Sequence, residues 1–295
     1  MLSRPPALSH GRLGATLVEL LVAMALVAIV LGAASSTLLR QGRDSNAHRS
    51  RVRAESQLRA ALGEMQAALE GLSSAAGDLA TSQARDTAIQ LRAVVGSGVT
   101  CESAVGQATL AADDSSRNRV GGLAVAPRVG DTLWWHPPGL PGWVARRVVS
   151  VSVEMGVCAV GGADAQSLLR LGISSPDTVS RGAPLRITRQ ARYSFYRAGD
   201  GSWQLGIAEW SDVLHAFAPP QPVAGPFTIV VAGGIRTGFR YFDAGGAELR
   251  DSGQGVDGAR VASVRVTIVA PESAGGAPTG ALRRDSLDVA LGHET

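Results

Sequence analysis

From Ala15 to Leu39 apolar residues run almost unbroken, and Glu19 is the only charge among them. As a helix this run measures about 37 Å, enough to cross a hydrocarbon layer of roughly 30 Å with some tilt. Beyond Leu39 the chain turns polar but keeps a helical rhythm. Leu58, Leu62, Met65, Leu69 and Leu72 recur at steps of four, three, four and three, the apolar stripe of an amphipathic helix. Arg51, Glu55 and Arg59 stand four apart, a spacing suited to ion pairs on a solvent face. The pattern predicts one long helix from about Thr16 to Gly71 or Gly77, its second half covering a sheet.

After Gly77 the period changes to short β-rich runs cut by Gly, Pro and Asp. Strands are predicted at Ala88 to Val95, Asp131 to Trp135, Val144 to Val153, Leu185 to Arg197, Trp203 to Trp210, Ile235 to Asp243, Val261 to Ala270 and Asp285 to Leu291. Gly199-Asp200-Gly201 and Asp243-Ala244-Gly245-Gly246 read as tight turns joining hairpins. Strands without alternating helices favour an antiparallel meander. The predicted class is α+β, with one long N-terminal helix packed on an antiparallel sheet. Residues 96–184 read as a β-rich insertion between helix and C-terminal sheet. Its "DTLWWHPPGLPGW" is predicted to turn alternate tryptophans into a hairpin core while the Pro/Gly loop reverses the chain. An exposed aromatic patch for a partner or a carbohydrate is the other reading of that stretch.

Glu19 is the feature that composition and hydropathy leave unexplained. A carboxylate at the centre of a membrane helix costs roughly 2.5 to 3.5 kcal/mol on insertion scales. A plain anchor has no use for it. Arg4 and Arg12 precede the run and no acidic residue accompanies them, which places the leader on the cytoplasmic side. An ordinary secretory signal is the simpler alternative, with an apolar stretch from Leu20 to Leu31 and cleavage near Gly32-Ala33-Ala34. Against it, Glu19 interrupts the start of the apolar stretch, and the helical pattern continues past its end.

The stretch "GATLVELLVA" resembles the signal of type IV prepilins and pseudopilins. In that family a prepilin peptidase cuts after the glycine and methylates the new terminal amine, and the apolar helix stays with the mature protein. The resemblance implies that Gly14 is the last leader residue and Ala15 the N-methylated terminus. Glu19 becomes the fifth mature residue. Ala15 stands where the family usually has phenylalanine. In a filament of staggered helices the ammonium at Ala15 of one subunit lies near Glu19 of another, pairing two charges that neither could bury alone. The C-terminal half, with "ARYSFYRAGDGSWQLGIAEW", "FTIVVAGGIRTGFRYFDAGGAELR" and "RVASVRVTIVAPES", resembles the J-type pseudopilins of type II secretion and the W-type minor pilins.

The implied organisation is a cytoplasmic leader at 1–14, removed on maturation, and a transmembrane or filament-core helix at 15–39. The amphipathic half of the helix follows at 40–80, then a periplasmic or extracellular β-rich domain at 81–295. The implied function is that of a minor pilin or pseudopilin acting in initiation or at the tip. The implied partners are the prepilin peptidase, other pilins, the inner-membrane assembly platform and the inner membrane itself. Two other classes compete: a periplasmic binding domain behind a cleaved signal, and an enzyme on a single-span anchor.

The chain has 295 residues, 28 basic against 25 acidic, and all the basic ones are arginine. Acidic and basic residues are interspersed, so the formal charge of +3 gives no nucleic-acid footprint. Without lysine there is neither a phosphate-loop lysine nor a Schiff-base lysine. His10, His48, His136, His215 and His293 show no metal-ligand spacing, and no cofactor, metal or catalytic group is predicted. Cys101 and Cys158 fit one disulfide in an oxidising compartment, with two separate buried thiols as the alternative.

Overall fold

The computed structural model describes residues 17–73, 77–80, 84–111, 122–158, 160, 165–229, 236–250, 255–271 and 282–292. The chain divides into two units, Met1–Val52 and Arg53–Thr295. In the first, the described residues form the helical stretch from Leu17 onward, and the side chains of 17–42 and 44–49 lie at the surface. The helix α1 runs Leu17–Leu69, close to the predicted span.

In the second unit the closing turns of α1 present Ala54, Leu58, Ala61, Met65 and Leu69 to a core, as the four-and-three stripe requires. Leu62 packs at the margin of that core. Two polar bonds fix the helix against strands: Tyr193 Oη donates to Glu64 at 2.7 Å, and the Gly225 amide donates to Gln57 at 2.9 Å. Burial, with the Glu64 carboxylate adding to it, pushes the Tyr193 phenol well above its ordinary range. On the outer side Arg59 pairs with Glu55, the i, i+4 contact the sequence predicts.

The described strands are β1 (Ala88–Val99), β2 (Ala104–Val105), β3 (Gln107–Ala111), β4 (Gly122–Leu123), β5 (Thr132–Trp135), β6 (Val144–Val157), β7 (Ala165–Ile173) and β8 (Thr178–Val179). They continue with β9 (Pro184–Arg197), β10 (Trp203–Ser211), β11 (Ala216–Phe217), β12 (Gln221–Phe227), β13 (Gly238–Phe242), β14 (Glu248–Leu249), β15 (Ser263–Pro271) and β16 (Leu282–Ala290). All pairings between them are antiparallel. The fold is α+β, one long N-terminal helix followed by antiparallel sheet.

The organising strand is β9. One edge pairs with β1 along Pro184 to Ser194. The other edge is divided: β5 takes Leu185 to Thr188, and β10 takes Ala191 to Arg197. The connectivity therefore differs from a simple meander, because β1 finds its partner across the whole insertion. The reason lies at the insertion's base. The Thr100 amide donates to the Ala183 carbonyl at 3.1 Å, and the Gly182 amide donates to the Thr100 carbonyl at 2.9 Å. The chain leaves after Val99 and returns at Pro184 in register.

Between those points the insertion builds a second core from Leu110, Leu133, Trp135, Val148, Leu171, Leu185 and Ile187 among others. The first core joins α1 to β1, β9, β10 and a four-stranded sheet ordered β14-β13-β15-β16. Both predicted turns form. Asp200 accepts from the Ser202 amide and hydroxyl, which holds its carboxyl below the usual range, and Gly201 takes φ +83°. Asp243 accepts from the Gly245 and Ala247 amides.

The tryptophan stretch resolves by strand alternation. Trp135 is buried in the second core. Trp134 lies on the opposite face, its Nε1 donating to Thr188 Oγ1 at 2.9 Å, with the guanidinium carbons of Arg92 and Arg186 at 5.2 and 5.5 Å from its ring centre. Trp143 meets His136 edge-on at 6.1 Å. These contacts are intramolecular: those of Trp134 tie β5 to β1 and β9, and that of Trp143 lies within the hairpin loop.

Candidate functional site

The described helix long and apolar enough to cross a membrane is α1. From Leu17 to Leu39 its side chains are exposed throughout, Leu17 at 76% and Ile29 at 68% among them. At 1.5 Å per residue this stretch rises about 34 Å. Water does not tolerate so large an apolar surface on a stable monomer, so lipid or neighbouring helices must cover it. Two of its polar groups bond back to the helix. Ser36 and Thr37 each donate a hydroxyl to the Ala33 carbonyl, at 2.8 and 2.9 Å, so neither presents an unmet donor to an apolar phase.

Glu19 stands in the first turn of α1, flanked by Val18, Leu20, Leu21 and Val22. The predicted processing residues Gly14 and Ala15 lie outside the described residues, and so does the leader.

The two cysteines come together. Cys101 and Cys158 form a disulfide with Cα atoms 4.7 Å apart, spanning 57 positions, and Leu168 packs on it. In the chain-entropy account, closing a loop of that length contributes about 4 kcal/mol. It ties the start of the insertion to the end of β6. Non-reducing peptide mapping of exported protein is expected to recover the Cys101–Cys158 peptide pair. Cys101→Ser with Cys158→Ser is expected to lower the denaturation midpoint without changing the pairing of β9 with β10, as read by hydrogen exchange.

Sequence reasoning missed a buried ionic cluster where β5, β9 and β10 meet. Arg189 is 9% exposed and Asp131 2%. Arg189 Nε and Nη2 donate to the two carboxylate oxygens of Asp131 at 2.8 and 2.9 Å. Nη1 reaches Glu209 at 3.3 Å and Nη2 also reaches the Ala126 carbonyl at 3.1 Å. Burial works against the charge of Arg189, and the bonds and fields of Asp131 and Glu209 more than offset it, so its pKa is raised. Arg128 pairs with Glu209 and Arg147 with Asp212 around the same polar cleft of about 280 Å³. A signal was present: along Leu185, Ile187, Arg189, Ala191, Tyr193 and Phe195, the arginine breaks an otherwise apolar alternation. Among the described residues no group of three His, Cys, Asp or Glu could hold a metal ion.

Residues 10–35 match the family model described as the prokaryotic N-terminal methylation motif. The match spans Gly14, Ala15 and Glu19 and supports the type IV pilin and pseudopilin superfamily. No curated protein and no solved structure matches the chain.

Proposed function

We propose that this chain, which carries the N-terminal methylation motif of type IV pilins and pseudopilins, is a minor subunit of a type IV pilus or a type II secretion pseudopilus. The observation that carries the reading is the exposed apolar length of α1, marked by one carboxylate within the matched motif. A covering of lipid before assembly and of neighbouring helices after it accounts for that surface. The role is structural and not enzymatic.

In this reading prepilin peptidase cuts after Gly14 on the cytoplasmic side and methylates Ala15. Residues 15–39 anchor the chain in the inner membrane and later pack in the filament core, and the β-rich domain stands in the periplasm. The disulfide fits an oxidising compartment. The partners are other pilins or pseudopilins and the inner-membrane assembly platform, and the place of action is initiation or the tip.

Sequencing the mature N-terminus tests the reading. N-methyl-Ala15 is expected, and Gly14→Ala is expected to retain the leader and migrate more slowly on a gel. A mature start near Ala34 or Ser35 would identify an ordinary cleaved signal. Retention of Met1 would identify a plain anchor. Either result removes the filament reading.

A further inference from the structure

The open edge of β6 is written to pair with itself. β6 pairs with β5 only along Val144 to Arg147, and the next residue, Val148, bonds Asp131 and Gly130 on that side. Its opposite edge pairs with β7 from Val148 to Val157. From Ser150 to Val157, therefore, no described strand lies on the β5 side. Among the described residues nothing pairs with the row of backbone donors and acceptors there, a row that another strand could take.

The molecule treats its edges differently. β16, at the margin of the four-stranded sheet, carries Arg283, Arg284, Asp285 and Asp288 at exposed positions, charges of the kind that deter edge-to-edge pairing. The free stretch of β6 carries one charge, Glu154, which is paired with Arg170 across the β7 side. Val153 is 63% exposed and Met155 70%. The strand's end is held in place by Cys158.

We infer that two copies of this chain pair antiparallel through this edge, with Val153 opposite Val153 of the second copy. The sequence Ser150-Val151-Ser152-Val153-Glu154-Met155-Gly156 is symmetric in kind about its centre. In that register Val151 meets Met155 on one face beside the central valines, giving an unbroken apolar row. On the other face Ser152 meets Glu154, a hydroxyl donor against a carboxylate, and Ser150 meets Gly156. The contact is isologous, so each pair occurs twice.

Neighbouring two-fold registers fail. Centring on Glu154 sets two carboxylates directly opposite, which is destabilising. Centring on Ser152 drives Val157 against Arg147, a position already paired with Thr132 of β5. The Val153 register is the longest that avoids both faults.

Directly opposed residues in antiparallel strands have Cα atoms about 4.5 to 5.5 Å apart, within disulfide range. The test is oxidative crosslinking of the full-length chain, in membranes and after detergent extraction, with products mapped by mass. Val153→Cys is expected to give a covalent homodimer through residue 153. Met155→Cys alone should yield about tenfold less, because its partner in this register is Val151. Mixing Met155→Cys with Val151→Cys chains should restore the dimer. Val105→Cys, exposed elsewhere, controls for random collision. Val153→Arg, which opposes two like charges, should abolish the crosslinking seen when Val151→Cys and Met155→Cys chains are mixed. Equal yields from Val153→Cys, Met155→Cys and Val105→Cys would overturn the inference. So would adducts to a different protein without any homodimer.

Discussion

Arg189→Ala is expected to lower the unfolding free energy of the β-rich unit by about 3 to 5 kcal/mol, the usual consequence of leaving a buried charge without its partner. The charge in question is Asp131, 2% exposed, whose two oxygens both accept from Arg189. The arginine sits where one edge of β9 changes partner from β5 to β10. Its substitution therefore unties the point at which the insertion's core meets the core beneath α1. The single-site loss measures the abandoned partner more than the worth of the pair. Arg189→Met with Asp131→Leu is accordingly expected to recover much of the stability, since apolar replacement of a buried pair is often neutral or better. Recovery is incomplete because Asp131 also accepts from the Arg128 amide at 2.8 Å, and leucine cannot. The measurement is denaturant unfolding of the detergent-solubilised full chain followed by tryptophan fluorescence. A loss below about 1 kcal/mol for Arg189→Ala would show that water reaches the site and that the cluster is ornamental.

How far the sequence discloses the fold depends on whether the controlling contacts are local. The leucine stripe of α1 was legible because helical period and burial coincide: Leu58, Met65 and Leu69 are buried and Leu62 packs at the core margin, while Leu72 is buried just past the helix end. Each of the eight anticipated runs has a strand as its counterpart, and Asp200 and Asp243 disclose their turns by side-chain bonds within a few residues. What escaped was non-local or lacked a clean alternation. The pairing of β1 with β9 depends on Thr100 meeting Ala183 across the insertion, a contact with no local signature. β7, with Leu168, Leu169 and Leu171 broken by Arg170 and Gly172, lacks the clean alternation that marked its neighbours. β12 hides behind its prolines. The N-terminal motif was legible for the opposite reason. The matched methylation motif is a linear string that includes Gly14, Ala15 and Glu19, and it needs no fold to be recognised.

Glu19→Gln is expected to separate insertion from assembly. In the proposed filament the carboxylate meets the methylated amine of Ala15 on another subunit, and both charges have left water. Removing one partner of such a pair typically costs 3 to 5 kcal/mol, enough to exclude a subunit from a lattice it must enter in register. Insertion should move the other way. A carboxylate in an apolar helix opposes insertion by up to roughly 2.5 to 3.5 kcal/mol at the bilayer centre, and glutamine lessens that penalty. Cleavage after Gly14 should persist, because the small residue at the cut is unchanged. The β-rich unit should fold as before, since its buried core begins at Ala54. The variant is thus expected in the membrane fraction, processed and folded, while failing to complement filament formation. Glu19→Asp, which keeps the charge on a shorter stem, should restore part of the function, whereas Glu19→Gln should restore none. Full complementation by stably inserted Glu19→Gln would show that the carboxylate does not set axial register, and the exposed apolar helix alone would then have to direct assembly.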